Sequence, residues 1–166
     1  QRDRGVAGRD SEPLRPAGGH GFRVVRLDLD GRNASYSTYI GGSFSEQLLA
    51  IGLDAASRAT VSGFTISDDF PIITPAYQPV RSGVNDAVLC RLESDGSQLV
   101  FSTFLGGTGF DIGTDLALAP DGSTWMTGTT QSDDMPSTAG AFQPAMVGNS
   151  DAFLARISPA GDALPY

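Results

Sequence analysis

Lysine is absent from this sequence, and cysteine, histidine and tryptophan each occur once. The lone Cys90 excludes an intrachain disulfide and any metal cluster built on thiolates. The lone His20 stands in a glycine-rich stretch ahead of the first apolar pattern, so a Ser-His-Asp or Cys-His site has no dependable base and a zinc site lacks nitrogen ligands. Positive charge is scarce beyond the N-terminal segment. From Leu27 onward the only basic residues are Arg32, Arg58, Arg81, Arg91 and Arg156, against 16 of the 19 carboxylates. Such a body repels nucleic acid and anionic membrane. The other six arginines lie in the first 26 residues among Asp3, Asp10 and Glu12, with no aromatic before Phe22 to stack on a base. No nucleic-acid partner is expected. No run is long and apolar enough for a membrane span, and nothing resembles a signal peptide, so membrane insertion is not expected. The chain begins at Gln1 and is expected to be cut from something longer, which leaves the compartment open. Gly106-Gly107-Thr108-Gly109 precedes no helical pattern and has no lysine, so it is not expected to cradle phosphate.

What is present is repetition. Tyr36-Ser37-Thr38-Tyr39-Ile40-Gly41-Gly42 returns as Phe101-Ser102-Thr103-Phe104-Leu105-Gly106-Gly107, 65 residues on. The register then holds without a gap: Gly63 on Gly128, Asp68-Asp69 on Asp133-Asp134, Gln78-Pro79 on Gln143-Pro144, Asp86-Ala87 on Asp151-Ala152 and Arg91 on Arg156. A fixed period of this size marks a repeat architecture and overrides the one-domain prior set by length.

Residues 1–21 carry no apolar period and read as a disordered lead-in. Two kinds of hairpin then alternate. The first kind runs Phe22–Leu29 with Ala34–Ile40, then Asp86–Glu93 with Leu99–Leu105, and begins again at Asp151–Ser158; each turns near a glycine. The second kind pairs Leu48–Ala55 with Ala59–Thr65 and Asp115–Ala119 with Thr124–Thr129. Each 65-residue unit therefore holds four strands. Segments such as Ala87-Val88-Leu89-Cys90 and Ala152-Phe153-Leu154-Ala155 are apolar throughout, which predicts burial on both sheet faces. Short antiparallel sheets buried on both sides and repeated in tandem are what propeller blades require. The predicted fold is all-β: a partial β-propeller of about two and a half four-stranded antiparallel blades with a 65-residue repeat. Its parts are a partial blade 22–42, a repeat 36–100 and a repeat 101–166. Too few blades are present to close a ring, so the open faces are expected to need neighbouring blades, from the rest of a longer chain or from other protomers.

The candidate sites are carboxylates in long loops, Ser67–Asn85 and Ser132–Ser150. Asp68, Asp69 and Phe70, with Asp133, Asp134 and Met135, are the candidate ligand contacts on the loop surface. Asp86 and Asp151 are weak calcium candidates, since a hard cation takes several oxygens, but no Asp-x-Asp-x-Asp loop occurs. At strand starts they are expected instead to accept backbone N–H groups. Asp68-Asp69 with Asp133-Asp134, and Asp111 with Glu46, are further carboxylates that such a cation could use. No other cofactor is indicated. Cys90 has Ala155 as its counterpart, which predicts a small buried side chain rather than a nucleophile. Because the carboxylates recur in each copy, they read as architecture; a catalytic pair is normally needed once.

The ordered motifs resemble those of the bacterial SBBP family, named for its seven-bladed β-propeller repeat. They are Tyr36–Gly42 and Phe101–Gly107; Asp121-Gly122 with Thr127-Gly128; Ser67–Pro71 and Ser132–Pro136; Tyr77-Gln78 and Phe142-Gln143; and Asp86–Val88 and Asp151–Phe153. Ser62 in place of Thr before Gly63, and Ala56-Ser57-Arg58 in place of an Asp-Gly turn, make the earlier copy the more degraded. The resemblance implies a secreted or cell-surface bacterial module without family-wide catalysis. Loops held on a rigid ring are where such folds bind, so the expected role is scaffold or binding surface for protein or glycan. The alternatives are a fragment of a carbohydrate-active or other hydrolytic propeller, and a subunit of a self-assembling ring or filament.

Overall fold

A computed structural model describes residues 21–166; His20 and the N-terminal arginines up to Arg15 lie outside the described residues, as does all but the last residue of the segment read as a disordered lead-in. Among the described residues there are nine strands and no helix. They are β1 (Phe22–Leu27), β2 (Ala34–Ile40), β3 (Glu46–Leu53), β4 (Ala59–Thr65), β5 (Asp86–Leu92), β6 (Leu99–Leu105), β7 (Asp111–Leu118), β8 (Thr124–Thr130) and β9 (Asp151–Ile157). β1 is shorter than the expected Phe22–Leu29, because Asp28 and Leu29 are taken into the turn, where Asp28 accepts from the backbone of Arg32 and Asn33. β7 starts four residues earlier than the alternation at Asp115 indicates. A bulge between Gly113 and Asp115 interrupts its period, and Asp111 and Gly113 are buried on the near side of it.

The strands form three antiparallel sheets, β1-β2, β3-β4-β5-β6 and β7-β8-β9, none of them closed. Only the middle one has the four strands expected of each unit. It runs from Glu46 to Leu105, so sheet boundaries do not fall at the repeat boundaries 36–100 and 101–166. A hairpin of the second kind joins the following hairpin of the first kind, through β4-β5 pairing across the long loop that separates them. β9 already makes the start of the corresponding third pairing: the Arg156 N–H donates to the Tyr166 carbonyl at 2.7 Å, at the position of the Arg91–Phe101 pair.

Two apolar clusters hold the sheets together, and they are one interface written twice. In the first, Val24, Ile40 and Tyr36 meet Val61, Cys90 and Leu92. In the second, Leu89, Leu105 and Phe101 meet Met126, Ala155 and Ile157, each residue 65 positions later. The middle sheet thus contributes to both clusters, Val88 and Cys90 on one face and Ala87 and Leu89 on the other, and every residue of β5 is buried. The expectation for β9 is not met: Leu154 is 53 % exposed where Leu89 is 0 % exposed, since among the described residues no further sheet covers its outer face.

Local chemistry follows the same period. Gly31, Gly96 and Gly161 take positive φ in the three turns of the first kind, at 71°, 69° and 77°. In the turns of the second kind Gly122 has φ 86° and its counterpart Ser57 has φ 61°, so the degraded turn keeps the backbone shape without the residue that favours it. Gly63 and Gly128 face the two bulges. A methyl group on either would overlap the carbonyl of Gln47 or of Ile112, which explains glycine at that place in both copies.

Candidate functional site

The loop following β4 crosses the outer strand of its own sheet and is tied down to it. Ile73 N–H donates to Ser102 Oγ at 2.8 Å, and that hydroxyl donates to the Pro71 carbonyl at 2.7 Å. Gln78 is the central clamp: its N–H reaches Thr103 Oγ1 at 3.0 Å, its carbonyl accepts from Phe104 N–H at 3.1 Å, and its Oε1 accepts from Gly106 N–H at 3.0 Å. Its Nε2 donates to Asp86 Oδ2 at 2.7 Å.

Asp86 also accepts from the N–H groups of Ser82 and Gly83, both at 3.0 Å, and so folds the end of the loop onto the start of β5. Asp151 repeats this arrangement with Gln143 Nε2 and Val147 N–H, both at 2.8 Å. Of the two calcium candidates, Asp86 thus spends both oxygens on the chain itself and Asp151 one of them. Among the described residues no three Asp, Glu, His or Cys side chains converge into a group suited to a metal ion.

Asp69 and Asp134 are occupied in the same way. Asp69 accepts from Ser43 N–H at 2.8 Å and from its hydroxyl, and Asp134 accepts from Thr108 N–H at 2.8 Å and Oγ1 at 3.0 Å. These donors hold both carboxyls below the usual carboxylate range, the Ser43 hydroxyl being the largest cause for Asp69 and the Thr108 N–H for Asp134. Each closes the loop that follows a Gly-Gly pair. Asp68 is exposed and pairs with Arg81 at 2.7 Å, whereas Met146 stands at the corresponding position near Asp133.

Phe70 does not belong to the loop surface. It is buried between Phe22 and Phe104, ring centroids 6.4 and 6.1 Å away, because the Pro71 turn directs it under the loop into the first cluster. Met135, its counterpart, packs partly buried against the second cluster. Of the six loop candidates, only Asp68 and Asp133 present a carboxylate outward without closing a Gly-Gly loop.

A second group of carboxylates escaped the strand-start reasoning and lies where the sheets meet. Glu46 accepts from Gly42 N–H at 3.2 Å, from Thr65 Oγ1 at 2.9 Å and from Ser67 Oγ. Its counterpart Asp111 accepts from Gly107 N–H at 2.8 Å and Ser132 Oγ at 2.7 Å. In both, the second carboxylate oxygen is buried with no donor among the described residues. A methyl group on Gly106 would lie 2.7 Å from Asp111 Oδ2 and 2.8 Å from Asp86 Cγ, so these two buried carboxyls face each other across that glycine. Burial, and secondarily the Asp111 charge, push the Asp86 carboxyl up against the pull of its three donors. At the earlier junction Gly21 replaces Asp86 while the longer Glu46 replaces Asp111. The sequence signal for this group was the coincidence of Glu46 and Asp111 in register, beside Gly41 and Gly106.

Arg91 is the one buried arginine of the middle sheet. Its Nε donates to Thr60 Oγ1 at 2.9 Å, its terminal nitrogens reach the Gly122 carbonyl and Thr124 Oγ1, and its guanidinium lies 5.0 Å from the Phe101 ring centroid. It joins the middle sheet to the β7-β8 turn; burial lowers its affinity for the proton. Arg156 repeats it beside Ser123, Asp121 and Trp125. No protein-family model matches this sequence, and no curated protein matches it significantly.

Proposed function

We propose that the chain is part of a noncatalytic β-propeller of the SBBP kind, exported to the bacterial cell surface or secreted, in which the loops bind protein or glycan and the sheets act as scaffold. The observation that carries this reading is the middle sheet, whose strands β4, β5 and β6 are largely buried on both faces and which meets its two neighbours through one interface repeated at 65 residues. Stacked blades need that arrangement; a two-layer sandwich leaves each sheet one wet face.

Support for a partner beyond the chain comes from what remains uncovered. Leu154, Phe142, Ile51 and Leu53 are exposed, while Leu89 and Tyr77, the counterparts of the first two, are covered by the third sheet. Neighbouring blades, from a longer chain or from other copies, would cover such faces. Against a hydrolytic role stands recurrence. The buried carboxylate oxygen without a donor occurs at both junctions, as Glu46 and as Asp111, where a catalytic group would be wanted once.

Two measurements test the proposal. Immunolabelling of intact producing cells should stain the surface or the medium should hold the protein; a signal only after lysis sinks the localisation. A glycan and protein array probed with the wild type and with an Asp68→Ala, Asp133→Ala double variant should show binding that the variant loses. Binding retained by the variant, or turnover of an arrayed glycan, would contradict the loop-surface scaffold.

A further inference from the structure

The end of the sheets that carries the Gly-Gly turns and the long loop presents four apolar side chains that the repeat does not account for. Phe44, Ile66, Val84 and Phe110 are between 37 and 60 % exposed, and their counterparts in the 65-residue register are Gly109, Gln131, Asn149 and Ser45. Side chains that join the sheets stay apolar in both copies, as the two clusters do; these four change character, so packing of the sheets is not what places them. The middle sheet has a sheet on each side, which makes the exposure of Ile66 and Val84 different in kind from that of Leu154. The backbone sets the four in a row. Ile66 N–H donates to the Ser45 carbonyl at 3.1 Å, next to Phe44, and Ile66 and Val84 lie just beyond the Thr65–Asp86 pair that joins β4 to β5. Val84 N–H donates to the Gly109 carbonyl at 3.0 Å, next to Phe110. With neighbouring strands about 5 Å apart, the row spans about 15 Å, the length of about five extended residues. Its rim is acidic. Asp69 holds the turn beside Phe44 and Asp134 the turn beside Phe110, Asp68 and Asp133 precede them, and all four are exposed. Arg81, which lies among them, is already engaged by Asp68 at 2.7 Å and by the Val84 carbonyl at 3.0 Å.

We propose that this row is a docking site for another protein, whose contact segment carries aliphatic or aromatic side chains flanked by lysine or arginine. The assignment deepens the loop-surface reading and rests on it. Apolar side chains gathered at one exposed end and rimmed by polar groups mark a contact surface. The four carboxylates favour a cationic flank and repel an acidic one, which sets the partner's charge. A saccharide would need polar groups beside each ring it stacks on. Between the two phenylalanines stand Ile66 and Val84, whose N–H groups are spent on Ser45 and Gly109. A peptide segment suits that surface and a glycan does not.

The probe is an array of short synthetic peptides in which apolar content and net charge vary independently, read beside a glycan array. Wild-type signal should rise with apolar content and positive charge together and fall with added salt. That dependence is read on the wild type and does not hinge on any variant. In the Ile66→Gln, Phe110→Ser double variant each new residue is the one the fold holds at the sister position, and its urea midpoint checks that it folds. This variant should bind about tenfold more weakly or worse, while Phe110→Leu stays within about threefold of wild type. The Asp68→Ala, Asp133→Ala variant should lose the cationic peptides as well. If that variant loses binding and the Ile66→Gln, Phe110→Ser variant does not, the apolar row is not the site and the loop-surface reading stands without it. A preference for acidic peptides, or a glycan bound through Ile66 and Phe110, would overturn the assignment, and silence on both arrays would overturn it together with the loop-surface reading.

Discussion

Ser57 offers the sharpest test of the repeat logic, because its counterpart shows what the position prefers. Both turns close with the same bonds: Ser57 N–H to the Asp54 carbonyl at 2.9 Å and Gly122 N–H to the Ala119 carbonyl at 3.0 Å. Both residues take the left-handed region, but only Gly122 does so without a Cβ. A side chain there costs about 1–2 kcal/mol. Glycine in turn loses more freedom on folding, about 0.5–1 kcal/mol. The Ser57 side chain makes no hydrogen bond to the described residues, so the two terms decide the sign. Ser57→Gly is expected to stabilise the fold by about 0.5–1 kcal/mol, and Gly122→Ser to destabilise it by a similar amount. Urea unfolding should show this as a shift in midpoint of roughly 0.3–0.5 M at an unchanged slope near about 2 kcal/mol/M. A midpoint that stays put or falls for Ser57→Gly, while Gly122→Ser proves neutral, would refute the claim that the two turns are one device.

Other expectations follow from the same structure. Gly128→Ala drives a methyl group into the Ile112 carbonyl at the bulge and should cost at least about 3 kcal/mol, measured by the same unfolding assay. Leu89→Ala should cost about 2–5 kcal/mol, whereas Leu154→Ala at the matching but half-open site should cost under about 1 kcal/mol; equal losses would mean that the outer face of β9 is covered. Cys90 is fully buried and its thiol is pushed up to about 12, so an aromatic disulfide reagent should label it only on unfolding, with a rate that rises with urea. For Asp86 the folded carboxyl titrates above its unfolded value, so its favourable contribution is full below about pH 3.8 and is lost as pH rises through the raised value. Asp111→Asn removes the facing charge while keeping an acceptor for Gly107 and Ser132. Its stability relative to the wild type should therefore rise as pH increases above about 3.8, where the wild type loses the Asp86 contribution; a fall with rising pH would show that the two carboxyls do not oppose each other.

Much of the candidate site was legible because its bonds are local or fall on the period. Gln78 with Asp86 and Gln143 with Asp151 are each eight residues apart, close enough for the strand-start aspartates to be read as acceptors before any coordinates. Phe70 was misplaced on the loop surface, since its neighbours Phe22 and Phe104 come from two other elements. The facing of Asp86 and Asp111 was hidden for the same reason: a strand from one sheet and a strand from the next bring them together.

By itself the sequence determined the number and order of strands and the positions of their turns, though not every strand end, through alternation, turn glycines and the 65-residue echo, because these depend on neighbours within a few residues. Tertiary structure alone decided which hairpins share a sheet. The β4-β5 pairing spans a long irregular loop, so a register written in hairpins leaves open how they are joined. It also decided which apolar faces are dry: β5 and β9 carry similar residues, and only the presence of a following sheet makes Leu89 core and Leu154 surface. Burial is a property of what lies opposite a side chain, and that is not encoded in the strand that bears it.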